Sequence, residues 1–282
     1  VRMRIRHRAA TAIAAIITVP LAVAGCAAAP PSTGAEHASL PAHVHGIVID
    51  RATGDLLLGA HDGIYTASAT GDGFSRVGKV GFDAMGLTST GDALIASGHP
   101  GPNAPEEWGE PNLGIIRSTD GGRTWDPVAF TGEKDFHALA AATDGTTYGI
   151  AVDSADLLRS NDAGATWELT GASPRALALT VDVDGRVIAG TPDGLKWSAD
   201  RGESFAAWDG APAMYTLAAS PNGGLLVGVD ANEQIWTTTA GATRWRPIGS
   251  VHGAAQAIAV TDAGDVIVVD DSGLTTLPSI GS

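Results

Sequence analysis

Five of the eight histidines, His43, His45, His61, His99 and His137, fall between residues 43 and 137, interleaved with Asp62, Asp83 and Asp135. Imidazole with carboxylate is a zinc donor set, and imidazole with a thioether such as that of Met85 suits copper. His43 and His45 are separated by one residue, which on a strand puts both side chains on one face. They form a chelating pair that His137 can complete, so His43, His45 and His137 are the expected ligands of a zinc or copper ion. The same region offers a second chemistry. Two carboxylates facing each other across a cleft can hydrolyse a glycosidic bond. Asp62, Asp83 or Asp135, with Glu106, Glu107 or Glu110, would supply such a pair. Trp108 lies in the Pro- and Glu-rich stretch "HPGPNAPEEWGEPN" and reads either as a platform for a sugar ring or as an anchor for its own loop. His45, His61, His99, Trp108 and His137 are therefore the candidate ligand-binding residues.

These residues need elements that bring them together, and the sequence announces those elements by repetition. "RSTDGGRTW" begins at Arg117 and "RSNDAGATW" at Arg159, and "WSADRGESF" from Trp197 keeps most of the pattern. Copies lie roughly forty residues apart, a period typical of propeller blades. Between copies stand short apolar runs separated by turn signals such as "TDGT" and "NDAGA". In one unit the runs are "HALAAA", "TTYGIAV", "DLLRS" and "TWELT", four strands. Equivalent sets begin at Val44, Ala84, His137, Ala176, Met214 and Ala255. The expectation is an all-β, six-bladed β-propeller. Its sixth unit shows three clear strands, so residues 36–41 are expected to add the fourth and close the ring.

The repeated motif sits between the third and fourth strands of a unit. Its Ser118, Asp120 and Gly122, Ser160, Asp162 and Gly164, and Ser198, Asp200 and Gly202 are suited to a tight turn, with Trp125 and Trp167 packing beside it. These are expected to be structural. The pattern S-x-D-x-G-x-[ST]-W resembles the Asp-box, or bacterial neuraminidase repeat. The chain over residues 43–277 is similar to Asp-box propellers, which include sialidases and related glycosyl hydrolases, the sortilin ectodomain and photosystem assembly factors. "HVHGIVID", "GAHDGIY", "ASGHPG" and "DFHALA" add a likeness to bacterial lipoproteins of the glycosyl-hydrolase-like Asp-box type. The resemblance implies a protein that binds or hydrolyses a glycan. A sialidase would also use arginines and a nucleophilic tyrosine, for which the chain offers Arg175 and Tyr215, but it lacks the Arg-Ile-Pro type of start motif.

Aligning the six inner strands puts His45, Met85, His137, Arg175, Tyr215 and Gln256 at one level, with His43, Asp83 and Asp135 two residues earlier. The ends of the antiparallel second strands carry His61-Asp62, His99, Asp153, Asp193, Asp230 and Asp270. All of these point to one face of the propeller, opposite the repeated turns. Asp153, Asp230 and Asp270 are expected to be turn formers.

The start of the chain has another character. Arg2, Arg4, Arg6 and Arg8 precede an apolar run that ends in "VAGC". This resembles a bacterial lipobox, which implies acylation of Cys26, the only cysteine. Residues 1–25 are expected to be a signal peptide, 26–41 a tether and 42–282 the propeller, exported and held at the outer face of a membrane by lipid. The chain has 17 Lys+Arg against 31 Asp+Glu, and four of the basic residues lie in the leader. So acidic a domain argues against nucleic acid as a partner. A glycan, an envelope protein or a metal ion remains, bound by a monomer.

Overall fold

The computed structural model describes residues 39–279, so the leader, Cys26 and most of the tether lie outside the described residues. Six antiparallel sheets follow one another along the chain, five with four strands and the last with three. Each sheet is ordered as the sequence runs, as expected where short turns join antiparallel neighbours. The inner strands of blades 1 to 6 are Val44–Ile49, Phe82–Ser89, Phe136–Ala141, Ala178–Val181, Met214–Ala219 and Ala257–Val260. Each inner strand contacts the next, and that of blade 6 contacts that of blade 1, so the ring is closed. Helix among the described residues is limited to one 3-10 turn, Glu106–Trp108.

The second strands carry the driving force for assembly. Leu56–Ala60, Thr147–Ala151, Val187–Thr191 and Val266–Asp270 are buried throughout. Strands covered on both faces read as continuous apolar runs rather than alternating ones. Their side chains join clusters shared by adjacent blades. One such cluster spans the closure, where Leu56 and Leu58 of blade 1 meet Ile267 and Val269 of blade 6. Leu40 packs onto the same cluster. Residues 39–41 form no strand, and 36–38 lie outside the described residues; among the described residues the closure combines this packing with a hydrogen bond from Val44 N–H to Gln256 Oε1 at 3.0 Å.

The repeated motif forms the same turn three times. In the first copy the Ser118 hydroxyl donates to Asp120 Oδ1 at 2.8 Å and accepts from Gly122 N–H at 2.8 Å. Asp120 then accepts from Thr124 N–H and from the Thr124 hydroxyl at 2.9 and 2.7 Å. The Trp125 indole closes the unit by donating to the Gly122 carbonyl at 3.0 Å. Ser160, Asp162, Gly164, Thr166 and Trp167 reproduce this set. Ser198, Asp200, Gly202 and Ser204 repeat its first part. Gly122 has a φ of 86°, a left-handed conformation that glycine adopts without strain. Trp125 lies edge-on to Phe82 with ring centroids 5.4 Å apart, which ties the turn to the core. The carboxylates of these turns are thus committed to backbone and hydroxyl donors.

Hydrogen bonds from Thr124 lead the effects that hold the Asp120 carboxyl at about 2, below its ordinary range. A carboxyl depressed on folding stabilises the native state above its unfolded value, near about 3.9. That contribution should fade as pH falls from about 4 toward about 2. Asp120→Asn should lower the stability at pH 7 by about 1 kcal/mol, the scale of hydrogen bonds to a charged group reduced by solvent screening at this shallow site. It should also flatten the acid limb between pH 4 and 2. Denaturant unfolding across pH checks this, and a variant with the stability and acid limb of the parent would contradict the structural role.

Candidate functional site at the channel mouth

The start of the inner strand is not regular. In blade 1, Val44 pairs with Ala60 and Gly46 with Gly59, which leaves His45 unpaired in a β-bulge. Blade 2 pairs Ala84 with Gly98 and Gly86 with Ser97, leaving Met85 out. Blade 3 pairs Phe136 with Ala151 and Ala138 with Ile150, leaving His137 out. Blade 5 does the same with Tyr215. A bulge bends the strand and re-aims one side chain. Four blades therefore place one extra residue at the same level, and all four of these residues line the central cavity of about 380 Å³.

The bulges of blades 1 to 3 organise a cluster around two carboxylates. Asp83 lies directly across from His99 in the strand register. Its Oδ1 approaches His45 Nε2 at 3.2 Å, and its Oδ2 approaches His61 Nδ1 at 3.0 Å and His99 Nδ1 at 3.7 Å. His99 Nε2 lies 3.4 Å from Asp135 Oδ2. His137 Nε2 donates to that same oxygen at 2.7 Å. The Asp135 side chain is only 4% exposed, against 15% for Asp83. The backbone enforces this. A Cβ on Gly98 would fall 1.9 Å from the Asp83 carbonyl oxygen, so only glycine lets the strand pass the bulge. In blade 3 the Phe136 N–H donates across blades to the fully buried Ser97 hydroxyl at 2.9 Å.

His45 Nε2, Asp83 Oδ1 and Asp135 Oδ1 are buried and make no well-aligned hydrogen bond among the described residues, the first two facing each other at 3.2 Å. Such atoms are costly unless something else bonds them. Burial holds the His45 imidazole below its ordinary pKa, against the opposing pull of Asp83. His137 is shifted the other way, chiefly by its hydrogen bond to Asp135.

His45, His61 and Asp83 each present a donor atom such that all three lie within 4.8 Å of one another. This is a metal-sized grouping, and it differs from the trio expected on strand periodicity. His43 is exposed, and although its ring centroid lies 6.4 Å from that of His61, as near as that of His45 at 6.3 Å, it is not one of the residues whose donor atoms meet within 4.8 Å. The bulge at His45 breaks the period of two that would have kept His43 and His45 on one face. His137 belongs to the Asp135 side of the cluster. The sequence placed His61 and His99 on this face, yet it carried no signal that Asp83 would bridge them. That signal would have been the bulges, which hydropathy does not mark.

The remaining candidates have other roles. The Asp62 carboxylate accepts from the Tyr65 hydroxyl at 2.8 Å. Tyr215 lines the cavity, and its hydroxyl accepts from Ala255 N–H at 3.2 Å. Arg175 is exposed with a left-handed φ of 58° and forms no ion pair among the described residues. Trp108 corrects the platform reading: it is 4% exposed and edge-on to Phe82 at 5.8 Å, so no ring face is open to a sugar. Asp230 and Asp270 accept from the backbone N–H groups that follow them, as turn formers do. Asp153 pairs with Lys134 at 3.1 Å.

No protein-family model matches the chain, and no curated protein matches it. Solved structures do. A GH74 xyloglucanase from Xanthomonas campestris superposes with a TM-score of 0.55 at 20% identity, over 86% of this chain and 46% of the enzyme. An ancestral GH74 enzyme gives 0.53 at 14% identity, over 84% and 36%. A chain of a nidogen/laminin complex gives 0.62 at 12% identity, over 79% and 89%. The likeness is one of fold. This chain spans less than half the length of those GH74 enzymes.

Because a carboxylate hydrogen bond is the main cause of the raised His137 pKa, Asp135→Asn should bring it down. Imidazole NMR titration of both proteins without added metal reads this directly. Titration of His137 at the same pH in both would show that the 2.7 Å contact does not form in solution.

Proposed function

We propose that this chain is an exported, lipid-anchored propeller of the Asp-box type whose channel mouth binds a divalent transition metal ion, zinc or copper. The observation that carries the reading is the convergence of His45 Nε2, His61 Nδ1 and an Asp83 oxygen, with His45 Nε2 and Asp83 Oδ1 buried and facing each other at 3.2 Å without a well-aligned hydrogen bond. His45 Nε2 and His61 Nδ1 face different oxygens of the Asp83 carboxylate, at 3.2 and 3.0 Å, so a shared ion would draw on both oxygens or pull one imidazole across to the spacing of about 3.3 Å for ligands with bonds of 2.0–2.1 Å. An ion there would bond both His45 Nε2 and Asp83 Oδ1. Two imidazoles and one carboxylate leave a position open, and His61 at 70% exposure puts that position near solvent. The anchor rests on the lipobox-like "VAGC" ending at Cys26. The resemblance to glycosyl hydrolases supports glycan binding by the same face as a second reading, which needs no metal.

The full chain, purified in detergent, should melt about 5–10 °C higher with zinc at a hundredfold excess over its Kd. His45→Ala or His61→Ala should remove most of that shift, and His252→Ala should leave it intact. Calorimetry at pH 7.5 showing no heat of binding for zinc or copper would reject the metal and leave the glycan reading. Separately, Cys26→Ser should move the protein from the detergent to the aqueous phase on partitioning. Equal partitioning of both proteins would reject the anchor.

A further inference from the structure

The cluster does not stop at one trio. Asp135 has its own pair of imidazoles, His137 Nε2 at 2.7 Å and His99 Nε2 at 3.4 Å. Its second oxygen, Oδ1, is buried and unpartnered on a side chain 4% exposed. Both imidazoles are about two-fifths exposed, so an ion can reach them from the mouth. Resting on the metal reading above, we infer that the mouth holds two metal ions side by side. The first is held by His45, His61 and Asp83, the second by His99, Asp135 and His137.

The two halves share the same logic. Each has one poorly solvated carboxylate, one bulge histidine from an inner strand (His45 or His137), and one histidine at the end of a second strand (His61 or His99). His99 links them. Its Nε2 faces Asp135 while its Nδ1 faces Asp83 Oδ2 at 3.7 Å. A metal-bound histidine ordinarily donates its other ring N–H to a carboxylate, which fixes its tautomer and orientation. Asp83 Oδ2 is the nearest carboxylate oxygen to His99 Nδ1, but at 3.7 Å it is beyond hydrogen-bond reach and already faces His61 at 3.0 Å, so His99 would have to move toward it on loading. The second trio is the looser one, since only His45, His61 and Asp83 have all donor atoms within 4.8 Å. Filling it requires the His99 and His137 nitrogens to close from beyond 4.8 Å to the roughly 3.3 Å of two ligands sharing an ion, while the 2.7 Å contact of His137 with Asp135 opens to the same spacing. The first ion should therefore bind more tightly, and the second with lower affinity. Two carboxylates only partly neutralise two divalent ions. The open positions should take water, hydroxide or an anionic ligand, which would make the mouth an anion-binding site once loaded.

Native mass spectrometry of the full chain titrated with zinc tests this by counting ions. The wild type should pass through a one-ion species and saturate at two. His99→Ala and His137→Gln should each saturate at one, with the first affinity changed by less than threefold for His137→Gln. Circular dichroism of each variant reports whether it is folded, and His252→Ala should still bind two. Saturation of the wild type at one ion would overturn the second site and leave the first intact. Binding of none would remove both. Two ions retained in both His99→Ala and His137→Gln, or the second ion lost in His252→Ala, would overturn the assignment to these residues.

Discussion

The channel mouth depends on how closely the inner strands of blades 2 and 3 approach each other. A Cβ on Gly86 would lie 2.3 Å from the Phe136 carbonyl oxygen, so the strands meet backbone to backbone. The buried Ser97 hydroxyl accepts the Phe136 N–H beside the blade 3 bulge. This contact holds Asp83 and Asp135 on neighbouring strands with His99 between them. Moving one strand outward by the width of a methyl group would separate the carboxylates and strand a buried N–H. Close packing of the ring is thus the positional control of the site, and the bulges supply its side chains.

The two faces use carboxylates in opposite ways. On the turn face, Asp120, Asp162 and Asp200 have their oxygens occupied by backbone and hydroxyl donors from their own turn. Those groups are fully satisfied and locally fixed. At the mouth, Asp83 and Asp135 face imidazoles from more than one strand, and each keeps an oxygen without a well-aligned hydrogen bond. A satisfied carboxylate shapes a turn, whereas an incompletely satisfied one in a dry setting favours a cation. The repeats therefore build the ring, and the residues outside the repeat give it a use.

Much of this was legible in the sequence. The repeat period marked out the blades, and alignment on the small–apolar step put His45, Met85, His137 and Tyr215 at one level, where the structure has its bulges. The bulges themselves left no trace in hydropathy, because an extra residue in a strand changes pairing and not composition. That is why strand periodicity joined His43 to His45, whereas folding joins His45 to His61 through Asp83. Trp108 was equally ambiguous. A Pro- and Glu-rich loop looks exposed, and nothing in its local pattern says that it folds back onto Phe82. The anchor reading of Trp108 is the one that folding selects, and both outcomes come from contacts between elements distant in sequence, which no local rule encodes.

The central claim is that imidazoles and carboxylates at this mouth bind a metal directly. X-ray absorption at the zinc edge of the loaded full chain examines that coordination. Direct ligation predicts mixed nitrogen and oxygen ligands at about 2.0–2.2 Å, with the outer-shell scattering of imidazole rings, and loss of most of that scattering in a His45→Ala, His61→Ala double variant. An all-oxygen shell without imidazole scattering, unchanged in the double variant, would contradict it.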